Sequence, residues 1–415
     1  METTINPSEI AGSIAAPSSK SYLQRAIAAA LLTEGVSRIE YHNHCKDSLA
    51  AIDIAKKLGA DILDNPPYIN IKGGFNPGGR ILNCDESGLC SRLFSPIAAL
   101  CSTPLKLTGS GSLIKRPQNL IADSLVKFDV KIATNNDYLP IEICGPLQGK
   151  KAIVDGSISS QLISGLLMAL PLVKSDSEIE IQNMKSKQYI DMTIEVLSAF
   201  GIRINQLSEN SFHIPGNQKY RSCDYVVEGD WSAAAFWIIA ALISGNLNIT
   251  GLNVNSQQAD AEIIKLLKSL NVDINISSKN IIIKKSPIPA FKFDATNCPD
   301  LFPPLVVLAA YANGVSTITG AKRLIYKESN RAKSLQQEFE KLGIKILIEG
   351  NTMLIYPGKI RSAIVSSHND HRIAMALAAA SLGARGPVTI RGIESVNKSY
   401  PGFFAELANV KRSFC

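Results

Sequence analysis

The chain contains 415 residues, a length at which one hydrophobic core usually stops growing, so we expect two domains. Hydrophobic residues make up 46% of the sequence, which is ordinary for a globular protein. The formal net charge of +7 suits anionic ligands. No block of like charges occurs in the sequence, which argues against a nucleic-acid-binding tail.

The sequence also lacks the usual features of secreted, membrane-spanning and metal-binding proteins. Residues 1–10 have neither the basic nor the apolar region of a signal peptide, and the longest apolar stretch, residues 233–243, is too short to span a bilayer. The eight cysteines form no C-x-x-C pair, and the cluster at residues 42–45 has no second ligand pair nearby. We therefore expect a cytoplasmic protein with reduced, mostly buried thiols, no membrane contact and no metal site.

A five-residue pattern recurs along the chain at intervals of roughly 70 residues. It consists of a large apolar residue, a Gly or other small or polar residue, an apolar residue, a polar residue and Ile. Shared packing needs could explain two similar copies, but five regular copies favour duplication. The copies are residues 58–62, 128–132, 200–204, 270–274 and 342–346.

Each copy follows an amphipathic helical stretch, and each helix follows a segment of alternating apolar and polar residues typical of a strand. We therefore predict six strand-helix-strand units, three in each domain. The helical stretches are residues 48–57, 121–127, 193–199, 261–269 and 332–341. The alternating segments are residues 36–41, 105–108, 179–182, 247–250 and 315–319, with a sixth at residues 388–391.

The first polar constellation lies at residues 16–25, where a Ser-rich turn leads into a helical pattern at residues 25–32. It places Lys20, Ser21 and Arg25 near a helix start. Unpaired backbone N–H groups and the positive end of the helix dipole make such a start a candidate phosphate or carboxylate site. The alternative is a simple Ser N-cap whose neighbouring charges face solvent.

Two more constellations precede helices later in the first half. In residues 86–92, Gly88 would allow a ligand to approach the backbone, although a plain turn explains the glycine as well. Arg116 follows in a basic pair that could equally be a solvated surface pair. Ser159, Ser160 and Gln161 could bind a phosphate or sugar hydroxyls without adding charge, whereas helix capping explains only one of these side chains.

The second half contains charged residues next to very apolar segments. Asp300 would lie at a helix N-terminus, where capping alone could account for it. Lys327 and Arg331 are four residues apart at the start of a predicted helix, where like charges repel unless an anion lies between them. Arg372 and Lys398 flank another apolar run, and charges beside a buried segment are costly unless they are paired or hold an anion. A structural Asp–Arg ion pair is the alternative for Arg372.

Together, the kinds and order of these segments resemble the enolpyruvyl transferases, and within them the branch that acts on shikimate 3-phosphate. The resemblance covers about residues 17–404, and it is specific as a set rather than in any single motif. The matching segments are residues 17–21 followed by Arg25, Ser159-Ser160-Gln161, residues 186–191, residues 227–230, Pro299-Asp300, Lys327-Glu328 followed by Arg331, residues 369–372, and Lys398.

The resemblance implies an α/β (α+β) fold of two similar domains, each built from three βαβαββ repeats and known as an inside-out α/β barrel. The N-terminal domain would comprise residues 20–227, and the C-terminal domain residues 1–19 plus 228–415. The active site would lie in the cleft between the domains. Two crossings of the chain, near Ser19 and Val227, would join them.

The resemblance also implies transfer of the enolpyruvyl group of phosphoenolpyruvate to the 5-hydroxyl of shikimate 3-phosphate. Asp300 would be the base and Glu328 the acid, with Lys20 as a third catalytic residue; the division of the acid and base roles among these three stays open. Shikimate 3-phosphate would be bound by Lys20, Ser21, Arg25, Ser159, Ser160, Gln161, Ser186, Asp300 and Lys327. Phosphoenolpyruvate would be bound by Lys20, Gly88, Arg116, Gln161, Arg331, Arg372 and Lys398.

Side chains could supply every charge that this chemistry needs, so no metal and no organic cofactor are expected. The expected partners are the two small-molecule substrates alone, with no nucleic acid and no membrane, and the protein is expected to be a monomer. Family membership also suggests inhibition by glyphosate, and we hypothesise that Gly88 permits it.

Several positions depart from the family pattern. Where the family commonly has Asn-Ala-Gly-Thr, this chain has Glu86-Ser87-Gly88-Leu89, so contacts near phosphoenolpyruvate could differ. Arg323 replaces a common Asn before the Lys-Glu segment, which puts that phosphate contact in doubt. Ser18, Gln24 and Gln188 replace the usual Gly, Asn and Pro.

Two other functions were weighed against this one. The related transferase that acts on a UDP-amino sugar usually carries a reactive Cys in a mobile loop, and the matching residues 108–117 contain none. A non-catalytic binding protein, or a relative that processes nucleic-acid ends, would be expected to lose Asp300 or Glu328. Both residues are present.

Overall fold

A computed structural model describes residues 1–278 and 280–412 of the chain. The chain divides into two compact units. The middle unit is Ser18–Val227, and the terminal unit is Met1–Pro17 together with the described part of Glu228–Cys415. Both units consist of small sheets and helices, as the sequence predicts for an α/β protein.

The strands are β1 (Glu2–Ile5), β2 (Glu9–Ala15), β3 (Val36–Glu40), β4 (Asp61–Asn65), β5 (Tyr68–Lys72), β6 (Ile81–Asn83), β7 (Leu105–Thr108), β8 (Lys131–Asn135), β9 (Tyr138–Cys144), β10 (Lys151–Asp155), β11 (Ser177–Gln182), β12 (Asn205–Ser208), β13 (Ser211–Ile214), β14 (Asp224–Val226), β15 (Gly245–Thr250), β16 (Ile274–Ile276), β17 (Asn280–Lys284), β18 (Lys292–Asp294), β19 (Ser316–Thr319), β20 (Ile346–Glu349), β21 (Thr352–Ile355), β22 (Ala363–Ser366), β23 (Val388–Arg391) and β24 (Lys411–Arg412).

The α-helices are α1 (Lys20–Leu31), α2 (Lys46–Lys57), α3 (Gly88–Ala98), α4 (Asn119–Leu125), α5 (Gln161–Ala169), α6 (Gln188–Ala199), α7 (Trp231–Ser244), α8 (Ile263–Ser269), α9 (Phe302–Ala310), α10 (Arg331–Lys341), α11 (His371–Ser381) and α12 (Phe403–Val410). Short 3-10 helices occur at Leu113–Lys115, Val126–Phe128, Leu170–Leu172, Ala259–Glu262, Pro299–Leu301, Ala321–Leu324 and Ile393–Lys398.

The middle unit contains three four-stranded sheets with one topology. Their strand orders are β14-β3-β5-β4, β6-β7-β9-β8 and β10-β11-β13-β12. In each sheet the first two strands are parallel, and the remaining neighbours are antiparallel. The second and third sheets follow the chain order βαβαββ, whereas the first sheet takes its outer strand, β14, from the end of the unit.

The terminal unit repeats this pattern with variations. Its sheets have the orders β16-β17-β15-β2-β24, β18-β19-β21-β20 and β1-β23-β22. The pairs β2 with β15, β18 with β19 and β22 with β23 are parallel, as in the middle unit. The six alternating segments of the sequence correspond to β3, β7, β11, β15, β19 and β23. The six predicted strands are thereby confirmed, but the sixth differs from the predicted unit: the strand after its helix, β24, pairs with β2 in another sheet.

The recurring five-residue pattern is the turn from a helix into the next strand. Its second residue has a positive φ in all five copies, a conformation that ends a helix and favours Gly or Asn. Its first residue is fully buried in four copies and partly exposed at Leu270. The second residues, with φ of 114°, 63°, 79°, 52° and 89°, are Gly59, Asp129, Gly201, Asn271 and Gly343.

Among the described residues, three helices are buried along their whole length. Every residue of α3 in the middle unit, and of α9 and α11 in the terminal unit, is buried. A helix that is buried all round has little freedom to rotate or shift, since interiors are closely packed. The residues at the N-terminal ends of α3 and α11 are therefore held firmly in place.

No helix within residues 1–278 and 280–412 has the length and apolar character needed to cross a membrane. The cysteines in these residues are free. Cys415, the eighth, lies outside the described residues. The buried ones are Cys45, Cys84, Cys90 and Cys298, and the partly exposed ones are Cys101, Cys144 and Cys223.

Candidate active site

In the middle unit, helix α1 begins at Lys20, directly after Ser19. The Lys20 ammonium group lies 2.8 Å from the carboxylate of Asp47, in the first turn of α2, and both side chains are largely buried. The neighbouring Ser21 is partly exposed. The helix starts five residues before the sequence analysis placed it, so Lys20 and Ser21 stand at the N-terminus itself, where the dipole favours an anion.

Arg25 lies one turn further into α1 and is fully buried. Its guanidinium donates hydrogen bonds to four neutral oxygens, and burial lowers the pKa of Arg25 to about 10. A buried cation with neutral partners is poorly compensated, which makes its position favourable for a nearby anion. The acceptors are Thr193 Oγ1 (2.8 Å), Ser21 O (2.9 Å), Ser164 Oγ (3.1 Å) and Tyr189 O (3.3 Å).

Gly88, Arg92, Arg116 and Gln161 lie together in the middle unit. A Cβ atom added to Gly88 would lie 3.1 Å from a terminal nitrogen of each arginine and 4.0 Å from Gln161 Oε1. Arg92 donates a hydrogen bond of 2.9 Å to Gln161 Oε1. Both arginines are mostly buried. The structure therefore joins the second and third constellations into one basic cluster at the N-terminus of α3.

The hydroxyl groups predicted to bind the substrate lie near the starts of two further helices. Ser160 directly precedes α5, and Ser159 Oγ accepts a hydrogen bond of 3.2 Å from the backbone N–H of Gln161. Ser186, just before α6, is buried and has a φ of 55°. A positive φ at a serine is uncommon and is typical of sites whose surroundings impose the conformation.

Glu86, one of the departures from the family pattern, holds a neighbouring loop. Its Oε2 atom accepts a hydrogen bond of 2.8 Å from the backbone N–H of Ser112. Gly111 lies so close that a Cβ atom there would meet the Glu86 carboxylate at 2.4 Å. Ser112 Oγ in turn accepts a hydrogen bond of 3.1 Å from Arg116. Glu86 therefore helps to position the loop that carries Arg116.

In the terminal unit, Arg331 is the centre of a buried charge cluster. Its guanidinium contacts the carboxylates of Asp300 (2.7 Å), Asp370 (2.7 Å) and Glu328. Arg331 and Asp370 are almost completely buried. Burial alone would lower the pKa of Arg331, but Asp370, Glu328 and Asp300 together raise it above its usual value. Arg331 therefore keeps its charge and fixes three carboxylates.

Asp300 lies in the 3-10 turn that precedes α9. Its carboxylate contacts Arg331, Arg372 (3.1 Å) and Lys327 (3.5 Å). Burial would raise the pKa of Asp300, but the positive charges of Arg372, Lys327 and Arg331 outweigh it and hold the pKa well below its usual range. Asp300 is therefore ionised, and its carboxylate accepts hydrogen bonds from all three cations.

Lys327 and Arg331 contact the same carboxylate oxygen, Asp300 Oδ1. The anion that the sequence analysis required between these two cations is therefore provided, at least in part, by the protein. The expectation that Lys327 begins the helix is wrong: α10 begins at Arg331, because the Asn330 side chain accepts a hydrogen bond from the backbone N–H of Lys333. Burial lowers the pKa of Lys327, and Asp300 only partly offsets this effect.

Arg372 and Lys398 lie near the N-terminus of α11. Asp370 caps this helix by accepting a hydrogen bond from the backbone N–H of Arg372. Lys398 donates a hydrogen bond of 2.7 Å to the backbone carbonyl of Asn369, and its side chain is buried. The predicted residues of the terminal unit, namely Asp300, Lys327, Glu328, Arg331, Arg372 and Lys398, therefore belong to one region of that unit.

The sequence analysis missed two acidic residues near these clusters. Asp47 was overlooked because a carboxylate in a first helical turn is a common capping feature. Asp260 is 1% exposed, accepts a hydrogen bond from Ser232 through Oδ2, and has no hydrogen-bond partner for Oδ1 among the described residues. Burial first, and then the charge of Asp300, raise the pKa of Asp260 to about 7. The only sequence signal for Asp260 was its place after a polar turn.

Within residues 1–278 and 280–412, no group of three or more His, Cys, Asp or Glu side chains is arranged to hold a metal ion. The cluster at residues 42–45 is bound to other groups: His44 Nε2 lies 2.7 Å from Asp64 Oδ2, and the backbone N–H of Cys45 donates to Ser48. The two sets of residues described above instead offer several cations, hydroxyl groups and carboxylates, which suit a phosphorylated or carboxylated substrate that must gain or lose a proton.

Comparisons with known proteins agree with this chemistry. The family described as EPSP synthase (3-phosphoshikimate 1-carboxyvinyltransferase) matches residues 5–407. The 3-phosphoshikimate 1-carboxyvinyltransferase of Clostridium acetobutylicum is 39% identical over 411 residues, covering 97% of this chain and 96% of the relative. The protein of the same name from Clostridium kluyveri is 36% identical over 412 residues, covering 98% and 96%.

Solved structures give the same result. An EPSP synthase from Acinetobacter baumannii is similar with a TM-score of 0.84 and 26% identity, covering 99% of this chain and 98% of that one. The enolpyruvyl transferase NikO from Streptomyces tendae has a TM-score of 0.80 at 17% identity, covering 99% and 97%, a likeness that concerns the fold alone. These matches confirm the fold class and the resemblance inferred from the motifs. The chain belongs to the EPSP synthase (3-phosphoshikimate 1-carboxyvinyltransferase) family of enzymes.

Proposed function

We propose that this enzyme transfers the enolpyruvyl (carboxyvinyl) group of phosphoenolpyruvate to the 5-hydroxyl of shikimate 3-phosphate. The products are 5-enolpyruvylshikimate 3-phosphate and phosphate, in the shikimate pathway that leads to chorismate and the aromatic amino acids. Family membership supports this reaction. The observation in the structure that supports it best is the Asp300 carboxylate, which is held between Arg331, Arg372 and Lys327.

The reaction needs both a base and an acid. The 5-hydroxyl loses a proton when its oxygen adds to C2 of phosphoenolpyruvate, and the methylene carbon gains one. The same carbon then loses a proton as the bond to phosphate breaks. We assign Asp300 as the base that accepts the hydroxyl proton, and Glu328 as the acid that donates a proton to the methylene carbon. Asp300 is a weak base because three cations surround it, so we propose that Lys20 shares the acid and base roles with Asp300 and Glu328.

We propose that residues of both domains serve this one reaction, with residues 20–227 as one domain and residues 1–19 plus 228–415 as the other. The uncompensated charge of Arg25 supports its role with Lys20 and Ser21 in binding shikimate 3-phosphate, and the hydroxyls of Ser159, Ser160 and Ser186, with Gln161, would complete that set. The cluster at Gly88 and Arg116 supports a role in binding phosphoenolpyruvate together with the cations of the terminal unit.

Positive charge around the departing phosphate would lower the barrier to its loss. As the tetrahedral intermediate collapses, negative charge accumulates on the phosphate oxygens, and fixed cations stabilise that charge without having to reorganise. Arg331 and Arg372 are both buried and both keep a raised pKa, in part because Asp300 lies beside them. They are therefore charged at any pH at which the enzyme works.

The test is phosphate release by the purified protein from shikimate 3-phosphate plus phosphoenolpyruvate. We expect release that requires both substrates, continues in EDTA, and disappears in an Asp300→Ala variant. A Lys341→Gln variant is a matched control, because it also alters an ion pair of the terminal unit and lies outside the proposed site. Turnover of a UDP-amino sugar, with no release from shikimate 3-phosphate, would transfer the function to the related transferase.

We further propose that the protein works as a monomer in the cytoplasm. Neither a second copy nor a membrane is needed to supply a residue of the proposed reaction. Light scattering during size-exclusion chromatography would give the mass in solution, and fractionation of cells would give the compartment. A dimer that persists at nanomolar concentration would contradict the first proposal, and recovery with the membrane fraction would contradict the second.

A further inference from the structure

Glu338 is a buried carboxylate that the proposed chemistry does not use. It lies on α10, two turns after Arg331, and is 1% exposed. Its two oxygens accept hydrogen bonds from His368 Nε2 (2.6 Å), the backbone N–H of Ser366 (2.9 Å) and Lys341 Nζ (2.8 Å). Burying a charged group costs free energy unless hydrogen bonds compensate it, and three groups donate to this carboxylate. We therefore expect Glu338 to have a role.

Two of these donors, Ser366 at the end of β22 and His368, belong to the segment that leads into α11. His368 and Asn369, in the middle of that segment, both have positive φ, 51° and 55°. Asn and His adopt positive φ more readily than most residues, but two such residues in succession are uncommon and persist where the surroundings impose the conformation. Ser367 supports the same segment, because its hydroxyl accepts from the backbone N–H of Asn369 and donates to the carbonyl of Gly392.

This left-handed turn determines where three predicted ligands of phosphoenolpyruvate lie. The carbonyl of Asn369 accepts the hydrogen bond from Lys398. The next residue, Asp370, contacts Arg331 and caps the helix on which Arg372 is the second residue. A change in the turn would therefore move the partners of Lys398, Arg331 and Arg372 together.

We propose that Glu338 and His368 are positioning residues, which hold the 366–370 turn in its left-handed form and thereby align the cations for phosphoenolpyruvate. This inference rests on the function proposed above. Glu338 does not touch the reacting groups, and it acts through Asn369 and Asp370. Because α10 carries both Glu338 and Arg331, one rigid helix fixes the turn at one end and the central arginine at the other.

The charge of Glu338 matters as well as its shape. Burial would raise the pKa of Glu338, but hydrogen bonds from His368, Lys341 and the Ser366 backbone lower it, so the side chain stays ionised. In a Glu338→Gln variant an NH2 group replaces one carboxylate oxygen. This group donates hydrogen bonds, and it would face the N–H donor of Ser366 or of His368. Lys341 is half exposed, and its ammonium group forms its ion pair with Glu338 and not with the turn, so its loss should leave the turn in place.

The decisive comparison is Glu338→Gln against Lys341→Gln. In Glu338→Gln we expect the KM for phosphoenolpyruvate to rise roughly tenfold while the KM for shikimate 3-phosphate stays within about twofold. Lys341→Gln should leave both constants unchanged. His368→Gln, which keeps an N–H donor, should perturb the KM less than His368→Ala. A Glu338→Gln enzyme that has a lower Tm but a normal KM would overturn the inference.

A second measurement does not depend on turnover. Hydrogen–deuterium exchange followed by mass spectrometry should show faster exchange of the amides at residues 366–370 in Glu338→Gln, and wild-type exchange in Lys341→Gln. Equal exchange in both variants would overturn the positioning role whatever the activity. If the wild-type protein does not use shikimate 3-phosphate and phosphoenolpyruvate but the exchange result holds, only the proposed function fails.

Discussion

Arg25 and Arg331 are both buried arginines on helices, yet their surroundings are opposite. Arg25, in the middle unit, donates to four neutral oxygens, and no carboxylate contacts it among the residues described. Burial lowers its pKa to about 10. Arg331, in the terminal unit, contacts three carboxylates, and its pKa is raised. One charge is left available to an outside anion, and the other is neutralised within the protein.

This difference indicates a division of labour between the two sets of residues. A poorly compensated cation such as Arg25 is best explained by a ligand that supplies the missing charge. A cation bound to three carboxylates contributes little net attraction but fixes acidic groups in a defined geometry. We therefore expect substitutions around Arg25 to affect substrate affinity most, and substitutions of Arg331 and its three carboxylate partners to affect turnover and stability most.

The largest effect is expected for Asp300→Asn compared with Asp47→Asn. Asp300→Asn removes the charge held between three cations, so kcat for phosphate release should fall about 10²–10⁴-fold. Asp47→Asn loosens Lys20 without removing a group that transfers protons. It should lower kcat/KM about tenfold, largely through a higher KM. Steady-state kinetics of both variants tests this contrast, and equal losses in kcat would break the division.

The next effect concerns stability and compares Arg331→Met with Arg25→Met. Arg331→Met leaves three buried carboxylates without their common partner and should lower the free energy of unfolding by about 3–5 kcal/mol. Arg25→Met leaves acceptors that are partly satisfied already, since Thr193 and Ser164 bond to each other, and should cost about 1–3 kcal/mol. Urea unfolding would measure both values. A larger loss for Arg25→Met would contradict the comparison.

A pH-dependent effect is expected from Asp260. The pKa of Asp260 is raised to about 7 in the folded protein, whereas an unfolded Asp has a pKa of about 3.9. Between these values the folded protein keeps a proton that the unfolded chain has lost, so the contribution of Asp260 to stability falls as pH rises from about 4 to about 7. Below that range both states are protonated, and above it the loss is complete.

The Asp260→Asn variant cannot titrate at this position, so it should lack that decline. The free energy of unfolding of the wild type, minus that of the variant, should fall by up to about 1.4 kcal/mol per pH unit across this range. Urea unfolding at several pH values from 4.5 to 8 gives the difference. A constant difference would mean that Asp260 is ionised in the folded protein throughout.

The smallest effect is expected for Gly88→Ala in the middle unit. The added Cβ atom would lie 3.1 Å from terminal nitrogens of Arg92 and Arg116, closer than most real contacts, so these groups must shift by a few tenths of an ångström. We expect the KM for phosphoenolpyruvate to rise about tenfold, which is about 1.4 kcal/mol, with kcat nearly unchanged. Full kinetic analysis checks both constants. A change in kcat alone would assign the cluster to turnover instead of affinity.

Local features of the fold could be predicted from the sequence. The recurring pattern marks a left-handed residue that ends a helix, and Gly59, Gly201 and Gly343 show why a glycine is frequent there. The sequence also shows that the motif residues of each half precede apolar helices, and their roles in binding and catalysis stay predictions. The start of α10 was misplaced, because several polar residues before it could serve as the cap and only the folded chain selects Asn330.

Partners that are distant in sequence could not be predicted. Arg25 meets Thr193 across 168 residues, and Arg331 meets Asp370 across 39. Periodicity determines which face of a helix is buried, but it does not determine which distant side chain it meets. Asp260 was missed for the same reason. Its raised pKa depends in part on the charge of Asp300, which belongs to another sheet-and-helix unit.

The pairing of β2 with β15 has a consequence for synthesis of the protein on the ribosome. The partner of β2 in the parallel ladder lies 235 residues later, since Ile10 aligns with Gly245. At translation rates of 5–20 residues per second, the strand would wait roughly 10–50 s before its neighbour is made. The middle unit, which ends at Val227, is complete before that moment. Newly made chains would thus carry an unpaired strand that chaperones could recognise while the middle unit is already folding.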